Sequence, residues 1–324
     1  MTRRRRLSIA TCVLALLGLA GPALADGYPD HPVTLVVPFS PGGGTDLLAR
    51  LVSTKLESSL GAPVVVDNRP GASGAVAGAY VMTQPADGYT LFFGTSSTNA
   101  ISPVLHEDKM GNMLKGFDPV SLVANSALIL AVPTSSPIAD LQGYIKASAD
   151  KPITYGTFGV GSTPHLLGTL FASESGAKMI HVPYKGSAPA VADVTGGHID
   201  SAFLTVTALT ASLHDEAMRG LAVAASERLK GFPDIPTFEE EDYKGLDDAG
   251  WFGIFAPKGV PAEIRAQISK AVRVVLETPE TQEEFAKLGV EAKGSTPEEL
   301  AKKQENSVAL VKHILATTDI DISK

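Results

Sequence analysis

The stretches of this sequence best equipped for chemistry are built from glycine, serine and threonine rather than from acids, bases or thiols. In Phe39-Ser-Pro-Gly-Gly-Gly-Thr-Asp46, a glycine turn joins the apolar run Val33–Val37 to a helix start at Thr45 or Asp46. Glycines without side chains let backbone N–H groups converge on one ligand, and a helix N-terminus favours negative charge. Ser40, Gly43, Gly44, Thr45 and Asp46 are therefore candidate ligand residues. The same grammar recurs in Thr154-Tyr-Gly-Thr-Phe-Gly-Val-Gly-Ser-Thr-Pro-His165, with Thr157, Gly159, Gly161, Ser162, Thr163 and His165 as candidates. Two more turns are expected to line the same cleft: Thr95 to Pro103, offering Thr95, Ser96, Ser97 and Asn99, and Val182 to Pro189, offering Tyr184, Lys185 and Gly186. Any one of them alone is an ordinary strand-to-helix turn with a hydroxyl cap; four together point to a clamp for an anion.

Other chemistries find little support. Gly159-Val-Gly161 is followed by Thr163-Pro164 where a dinucleotide fingerprint needs a third glycine, and no G-x-x-x-x-G-K-[ST] occurs. Ser162 lies outside G-x-S-x-G, so a hydrolase using Ser162 with His165 would lack the nucleophile elbow and an orienting carboxylate. Ser175-Gly-Ala-Lys178 matches S-x-x-K, but Gly176 reads as a helix end. Histidines 31, 106, 165, 181, 198, 214 and 313 show no metal-ligand spacing, so neither a metal nor another cofactor is expected. His165 is a neutral donor to the ligand, a support behind it or a packing residue. Asp200 either supports the Tyr184–Gly186 turn or touches the ligand, while Thr205 and Thr207 at the end of that strand are better neutral donors. Arg69 either fixes the turn Asn68–Gly74 or reaches the ligand.

These turns need a frame. Short apolar runs alternate with helical patterns from Val33 almost to the end, which predicts an α/β protein with mostly parallel strands, whose ligands sit at the strands' carboxyl ends. Strands are expected at 33–37, 63–67, 89–94, 121–132 (as one strand or two), 153–155, 178–182, 199–204, 221–225 and 251–256. Helices are expected at 46–60, 73–84, 140–149, 164–175, 188–196, 261–277, 279–288 and 296–316. The extended runs Phe117–Pro133 and Gly245–Pro257 are the places for chain crossings. They divide the protein into a discontinuous domain 1, residues 27–124 plus 250–324, and a domain 2, residues 125–249, joined by a two-strand hinge.

Residues 1–25 read as a signal peptide: Arg3 to Arg6, an apolar stretch from Leu7 to Leu19, and Ala23-Leu-Ala25 before the cleavage point. Without them Lys+Arg falls from 27 to 23 against 35 Asp+Glu, and the net charge moves from −8 to −12. An acidic chain with no basic stripe argues against nucleic acid and anionic membrane as partners. Cys12 is the only cysteine, so the mature chain would have no disulfide and no thiol chemistry.

Taken in order, Tyr28-Pro-Asp-His-Pro-Val-Thr-Leu-Val-Val-Pro-Phe39, Pro41-Gly-Gly-Gly-Thr-Asp46, Val65-Val-Asp-Asn-Arg-Pro-Gly-Ala-Ser-Gly74, Ala86-Asp-Gly-Tyr-Thr90, His181-Val-Pro-Tyr-Lys-Gly186 and Phe255-Ala-Pro-Lys-Gly259 resemble the Bug receptors. These are extracytoplasmic solute-binding proteins of the tripartite tricarboxylate transporter family, and the similarity spans the mature chain. The resemblance implies a type II-like periplasmic binding protein, a two-domain Venus flytrap in a Gram-negative-type bacterium. It implies a receptor, not an enzyme, that takes a mono-, di- or tricarboxylate from the periplasm to the family's membrane permease subunits; a sensor-kinase partner is the alternative. A monomer is expected. Phe39 would be the aromatic residue that packs on the ligand, beside backbone amides, hydroxyls and water.

Overall fold

The structure, a computed structural model, describes residues 27–246 and 250–318. The expected signal peptide lies outside the described residues. From Val33 the chain runs β1 (Val33–Val37), α1 (Gly44–Leu60), β2 (Val64–Asn68), α2 (Ala75–Met82) and β3 (Thr90–Thr95). A π-helical turn (Ser97–Ile101), α3 (Ser102–Leu105) and α4 (Glu107–Met110) lead to β4 (Phe117–Asn125). Then come β5 (Leu128–Pro133), α5 (Leu141–Asp150), β6 (Ile153–Thr157), α6 (Thr163–Ser175), β7 (Met179–Pro183), α7 (Ser187–Thr195), β8 (Ser201–Thr205), α8 (Val206–His214) and β9 (Met218–Ala224). The last part is β10 (Trp251–Pro257), α9 (Ala262–Leu276), α10 (Pro279–Lys287), β11 (Glu291–Ala292) and α11 (Pro297–Thr317).

The strands form two sheets, ordered β11-β4-β10-β3-β1-β2 and β7-β6-β8-β5-β9. We call the parts built on them the first and second lobes. The expectation of mostly parallel strands needs amendment. β5 pairs antiparallel with both neighbours, and so does β10. The reason is topological: β1–β3 and β6–β8 end at the interface between lobes, whereas a strand that has just crossed starts there and must run the other way. The chain leaves the first lobe at Ser126-Ala127 and re-enters it at Gly250-Trp251, and these two points lie side by side, with the Ser126 N–H donating to the Gly250 carbonyl (2.9 Å) and Trp251 paired with Asn125.

Each sheet is sandwiched between helices, so its strands are apolar on both faces, as in the fully buried Val33, Leu35, Val36 and Val37. Two features were not anticipated. The first is α8, which begins immediately after β8 and carries Thr207 on a helix N-terminus instead of a strand end. The second concerns α11. Its start is fixed on the first lobe by the capping box of Thr296 and Glu299 and by buried Leu300, but its last turns place Val311 and Ile314 among Leu166, Leu167 and Leu170 of the second lobe. The final helix thus straps the two lobes together, where the sequence pattern had assigned it wholly to the first.

Candidate functional site

The carboxyl ends of the two sheets meet face to face, and the glycine turns meet with them. In the first lobe Gly43 is the N-cap of α1 and makes no side-chain cap; Gly42 before it has φ 79°. The turn is held from inside the helix. Asp46 accepts from the Gly42 N–H (2.9 Å) and from Arg50 Nε (2.9 Å) on one oxygen and from Asn68 Nδ2 (2.9 Å) on the other. Burial pushes its carboxyl up, but hydrogen bonds from Arg50, Gly42 and Asn68 outweigh it and hold it below the usual carboxylate range. Asp46, a candidate ligand residue, is therefore spent on shaping the turn.

The second turn is built the same way with different parts. Gly159 and Gly161 have φ 135° and 71°, a region open to glycine at little cost. The Gly161 N–H donates to Nδ1 of His165 (3.0 Å), and Ser162 Oγ donates to the Gly159 carbonyl (2.6 Å). Thr157 Oγ1 accepts from the Gly159 N–H (3.2 Å) and lies 2.7 Å from Nε2 of His181. The two imidazoles stack, with ring centroids 3.8 Å apart and planes 14° from parallel. The Ser162 hydroxyl is thus committed to a backbone carbonyl of its own turn.

Between the turns runs a seam of hydroxyls from both lobes. Ser96 Oγ and Ser97 Oγ each lie 2.9 Å from Thr163 Oγ1, and the Thr163 N–H, the first of α6, donates to Ser97 Oγ (2.9 Å). Ser102 Oγ donates to the Gly161 carbonyl (2.8 Å), and Ser73 Oγ donates to the Val160 carbonyl (2.6 Å). The Ser40 N–H and hydroxyl both donate to the Lys185 carbonyl (3.1 and 3.2 Å). Phe39 meets Phe158 of the other lobe edge to face at 5.1 Å. The lobes are therefore shut on each other. Thr45, Thr95, Ser96, Ser97, Thr163 and Thr205 share a residual cavity of about 10 Å³ with Ser126, Phe158, Phe252 and Trp251. That is room for about one water molecule. None of the residues lining it is charged.

Glycine is required where the lobes touch. A Cβ on Gly44 would run into Thr207 Oγ1 and stand 2.7 Å from Thr205 Oγ1 and 2.9 Å from the Ala208 nitrogen; one on Gly186 would stand 2.9 Å from the Ser40 nitrogen. Gly43 is less crowded, its nearest neighbour being the Ser187 nitrogen at 3.4 Å.

Five candidates lie elsewhere or act otherwise. Asn99 is buried inside the first lobe: its side-chain oxygen accepts from Thr98 Oγ1 (2.7 Å) and its carbonyl from Gln304 of α11 (2.7 Å), because the chain after Thr95 coils into a π-helical turn. Asp200 stands before β8, at the opposite end of the strand from the seam, where it accepts from the Thr154 N–H and hydroxyl (2.9 and 2.6 Å). Lys185 contributes its carbonyl to the seam while its side chain is exposed. The Tyr184 hydroxyl is committed to Asp193 (2.5 Å); burial and that carboxylate push the phenol's pKa up. Arg69 bonds Asp67 (2.7 Å) and stacks over Tyr80, so it fixes its own turn. Sequence reasoning missed Ser73, Ser102 and Phe158. The one readable cue was the flanking of Ala72-Ser73 by Gly71 and Gly74.

Comparison with known proteins places this architecture. The sequence profile described as "Tripartite tricarboxylate transporter family receptor" matches residues 48–320. The chain belongs to this family of solute-binding receptors. It is 34% identical over 300 residues to Protein BugT of Bordetella pertussis, covering 92% of this chain and 90% of that one. Among solved structures it resembles R. palustris Rpa4515 with adipate (33% identity, TM-score 0.86, 90% of this chain and 99% of the other). It also resembles MatC from Rhodopseudomonas palustris with bound malate (27% identity, TM-score 0.84, 89% and 100%). The α/β fold of two sheets is that of the periplasmic binding proteins.

Proposed function

We propose that this protein is a periplasmic receptor whose two lobes, 27–124 plus 250–318 and 125–246, close on a small carboxylate and present the closed form to a membrane permease. The observation that carries the reading is the oxygen of Ser97 seated on the first N–H of α6, a position suited to an anion at a helix N-terminus. A carboxylate entering between the turns would take over that donor, together with hydroxyls of Thr45, Thr163 and Thr205 and amides of the Gly43–Thr45 turn. Neutral donors can hold a carboxylate in such a site because charge-assisted hydrogen bonds are the stronger ones. The adipate and malate of the two solved relatives support this ligand class. A cavity of about 10 Å³ cannot admit either acid, so capture requires the lobes to part about the Ser126–Gly250 crossing and close again.

Selection for the closed form then follows from contacts made by both lobes to one ligand, since equal affinity for open and closed forms would shift nothing. A thermal-shift and calorimetry panel of malate, adipate, citrate and aromatic acids tests the reading. At least one acid is expected to raise the melting temperature and to make the protein more compact in solution scattering. If no carboxylate stabilises the protein, the reading fails.

A further inference from the structure

One stripe of α11 faces the two lobes in turn. Leu300, Gln304, Ser307, Val311 and Ile314 recur at intervals of three and four residues, which puts them on one side of the helix. The first three are tied to the first lobe. Leu300 is fully buried there, Gln304 Nε2 donates to the Asn99 carbonyl (2.7 Å), and Trp251 Nε1 donates to Ser307 Oγ (3.0 Å). The last two face the second lobe. Val311 and Ile314, 2% and 8% exposed, join the cluster of Leu166, Leu167 and Leu170 of α6, with Ile101 of the first lobe at its border. They enclose a cavity of about 20 Å³ with Leu166, Leu167 and Leu246. A helix rises 1.5 Å per residue, so the residues from Ser307 to Thr317 carry α11 about 15 Å past its Trp251 anchor.

We infer that Val311 and Ile314 are positioning residues for ligand capture: carried on a helix anchored to the first lobe, they hold the second lobe in its closed position without touching the ligand. The proposal rests on the carboxylate-receptor reading of the cleft. When the lobes part, a helix fixed to one of them cannot follow both, so Val311, Ile314 and the leucines of α6 return to water. Burying them again favours closure whatever acid is present, because apolar burial is non-directional and indifferent to the ligand. A ligand that makes the protein more compact finds it mostly open. The factor by which this contact favours the closed form therefore appears in the measured affinity. The hydroxyl seam chooses the ligand, and the end of α11 sets how firmly the chosen ligand is held.

Calorimetry with malate and adipate on the full mature chain tests this. Val311→Ala and Ile314→Ala should each weaken both acids by a common factor, roughly tenfold, so that the ratio of the two affinities stays as in wild type. A residue acting on the ligand itself would move that ratio. Val308→Ala truncates the same helix where it packs on the first lobe's core, and it should bind as wild type does. Ile314→Val, which keeps most of the contact, should recover most of the affinity. Unequal losses for the two acids, a Val308→Ala loss as large as that of Val311→Ala, or wild-type affinity in the Val311→Ala/Ile314→Ala double variant would each overturn the proposal. If neither acid binds the wild type, the ligand class of the preceding section fails, and the helix contact is decided without ligand. Cys12 is the only cysteine and falls in the expected signal peptide, so nitroxides can be placed through Val65→Cys on β2 and Ile180→Cys on β7, both exposed positions on edge strands. Distances between them, measured by pulsed electron resonance, should show a closed population that the Val311→Ala/Ile314→Ala pair depletes; identical distributions with and without the pair would overturn the proposal.

Discussion

The two glycine turns are the same device made with different acceptors. In both, a glycine with positive φ lies two residues before the helix, and its N–H is captured by the side chain of the third helical residue, four positions on. The first lobe uses Asp46 and the second His165, at 2.9 and 3.0 Å. The carboxylate is held below its ordinary range and brings a charge to the first turn, whereas the second turn is held by a ring nitrogen. Equivalence of backbone geometry therefore does not require the same acceptor, because a carboxylate and an imidazole nitrogen can each take the equivalent amide.

The largest expected break in this pairing comes at Gly44, where the first jaw presses into the second lobe. The crowding is at Gly44 and not at its neighbour Gly43, the N-cap of α1. Gly44→Val would put carbon against Thr205, Thr207 and the Ala208 backbone and prop the lobes apart. Ligand affinity is expected to fall roughly 100-fold, about 2.8 kcal/mol. The unliganded fold should survive, as judged by circular dichroism, with a larger radius of gyration in scattering. Gly43→Ala, tolerated at 3.4 Å, should bind within a few-fold of wild type. The opposite order of the two variants would mean that the turns do not close as described.

Removing the carboxylate acceptor is the next largest effect. Asp46→Ala strands the Gly42 N–H and the Asn68 amide, and the loss of a buried charged acceptor is expected to cost about 2–3 kcal/mol in chemical unfolding. The pH dependence has a definite sign. A carboxyl whose folded pKa is lowered contributes stability that is complete above its unfolded value, about 3.9, and is lost as pH falls through the folded value. Wild type should thus lose more stability than Asp46→Ala between pH 5 and pH 2.

Thr163 ties the second jaw to the first through Ser96 and Ser97. Thr163→Val keeps the shape and removes the hydroxyl. At about 1 kcal/mol per hydrogen bond, affinity should drop about five- to thirtyfold with little change in unliganded stability. An unchanged affinity would take Thr163 out of the ligand site.

Much of this frame was legible in the chain. Val33–Val37 reads as a strand because a strand covered on both faces has no polar positions, and Thr296-Pro-Glu-Glu299 announces α11 through its cap. The turns at Gly42–Asp46 and Gly159–His165 could be placed because glycine and hydroxyl residues between a strand and a helix have few other uses. What stayed hidden was side-chain commitment. Asp46, Tyr184 and Asp200 look like ligand groups until Asn68, Asp193 and Thr154 are seen to satisfy them, and those partners lie 22, 9 and 46 residues away. The π-helical turn that buries Asn99 and the reach of α11 onto the second lobe depend on tertiary packing that no local pattern records.

The smallest effect sharpens the comparison at the cleft's outer edge. Ala72 and Ser73 have φ of 46° and 51°, a left-handed conformation that costs a non-glycine residue about 1–2 kcal/mol each. The surrounding structure keeps them there, and the visible return is the hydrogen bond from Ser73 Oγ to the Val160 carbonyl beside Gly161. Two substitutions separate conformation from contact. Ser73→Ala keeps the strain and removes the bond, so it should weaken ligand affinity two- to tenfold and lower unliganded stability little. Ser73→Gly removes both, and it should stabilise the unliganded protein by up to about 1 kcal/mol while weakening ligand binding as much as alanine does. Equal affinities for wild type and Ser73→Ala would show that the strained pair serves the first lobe alone and takes no part in holding the jaws together.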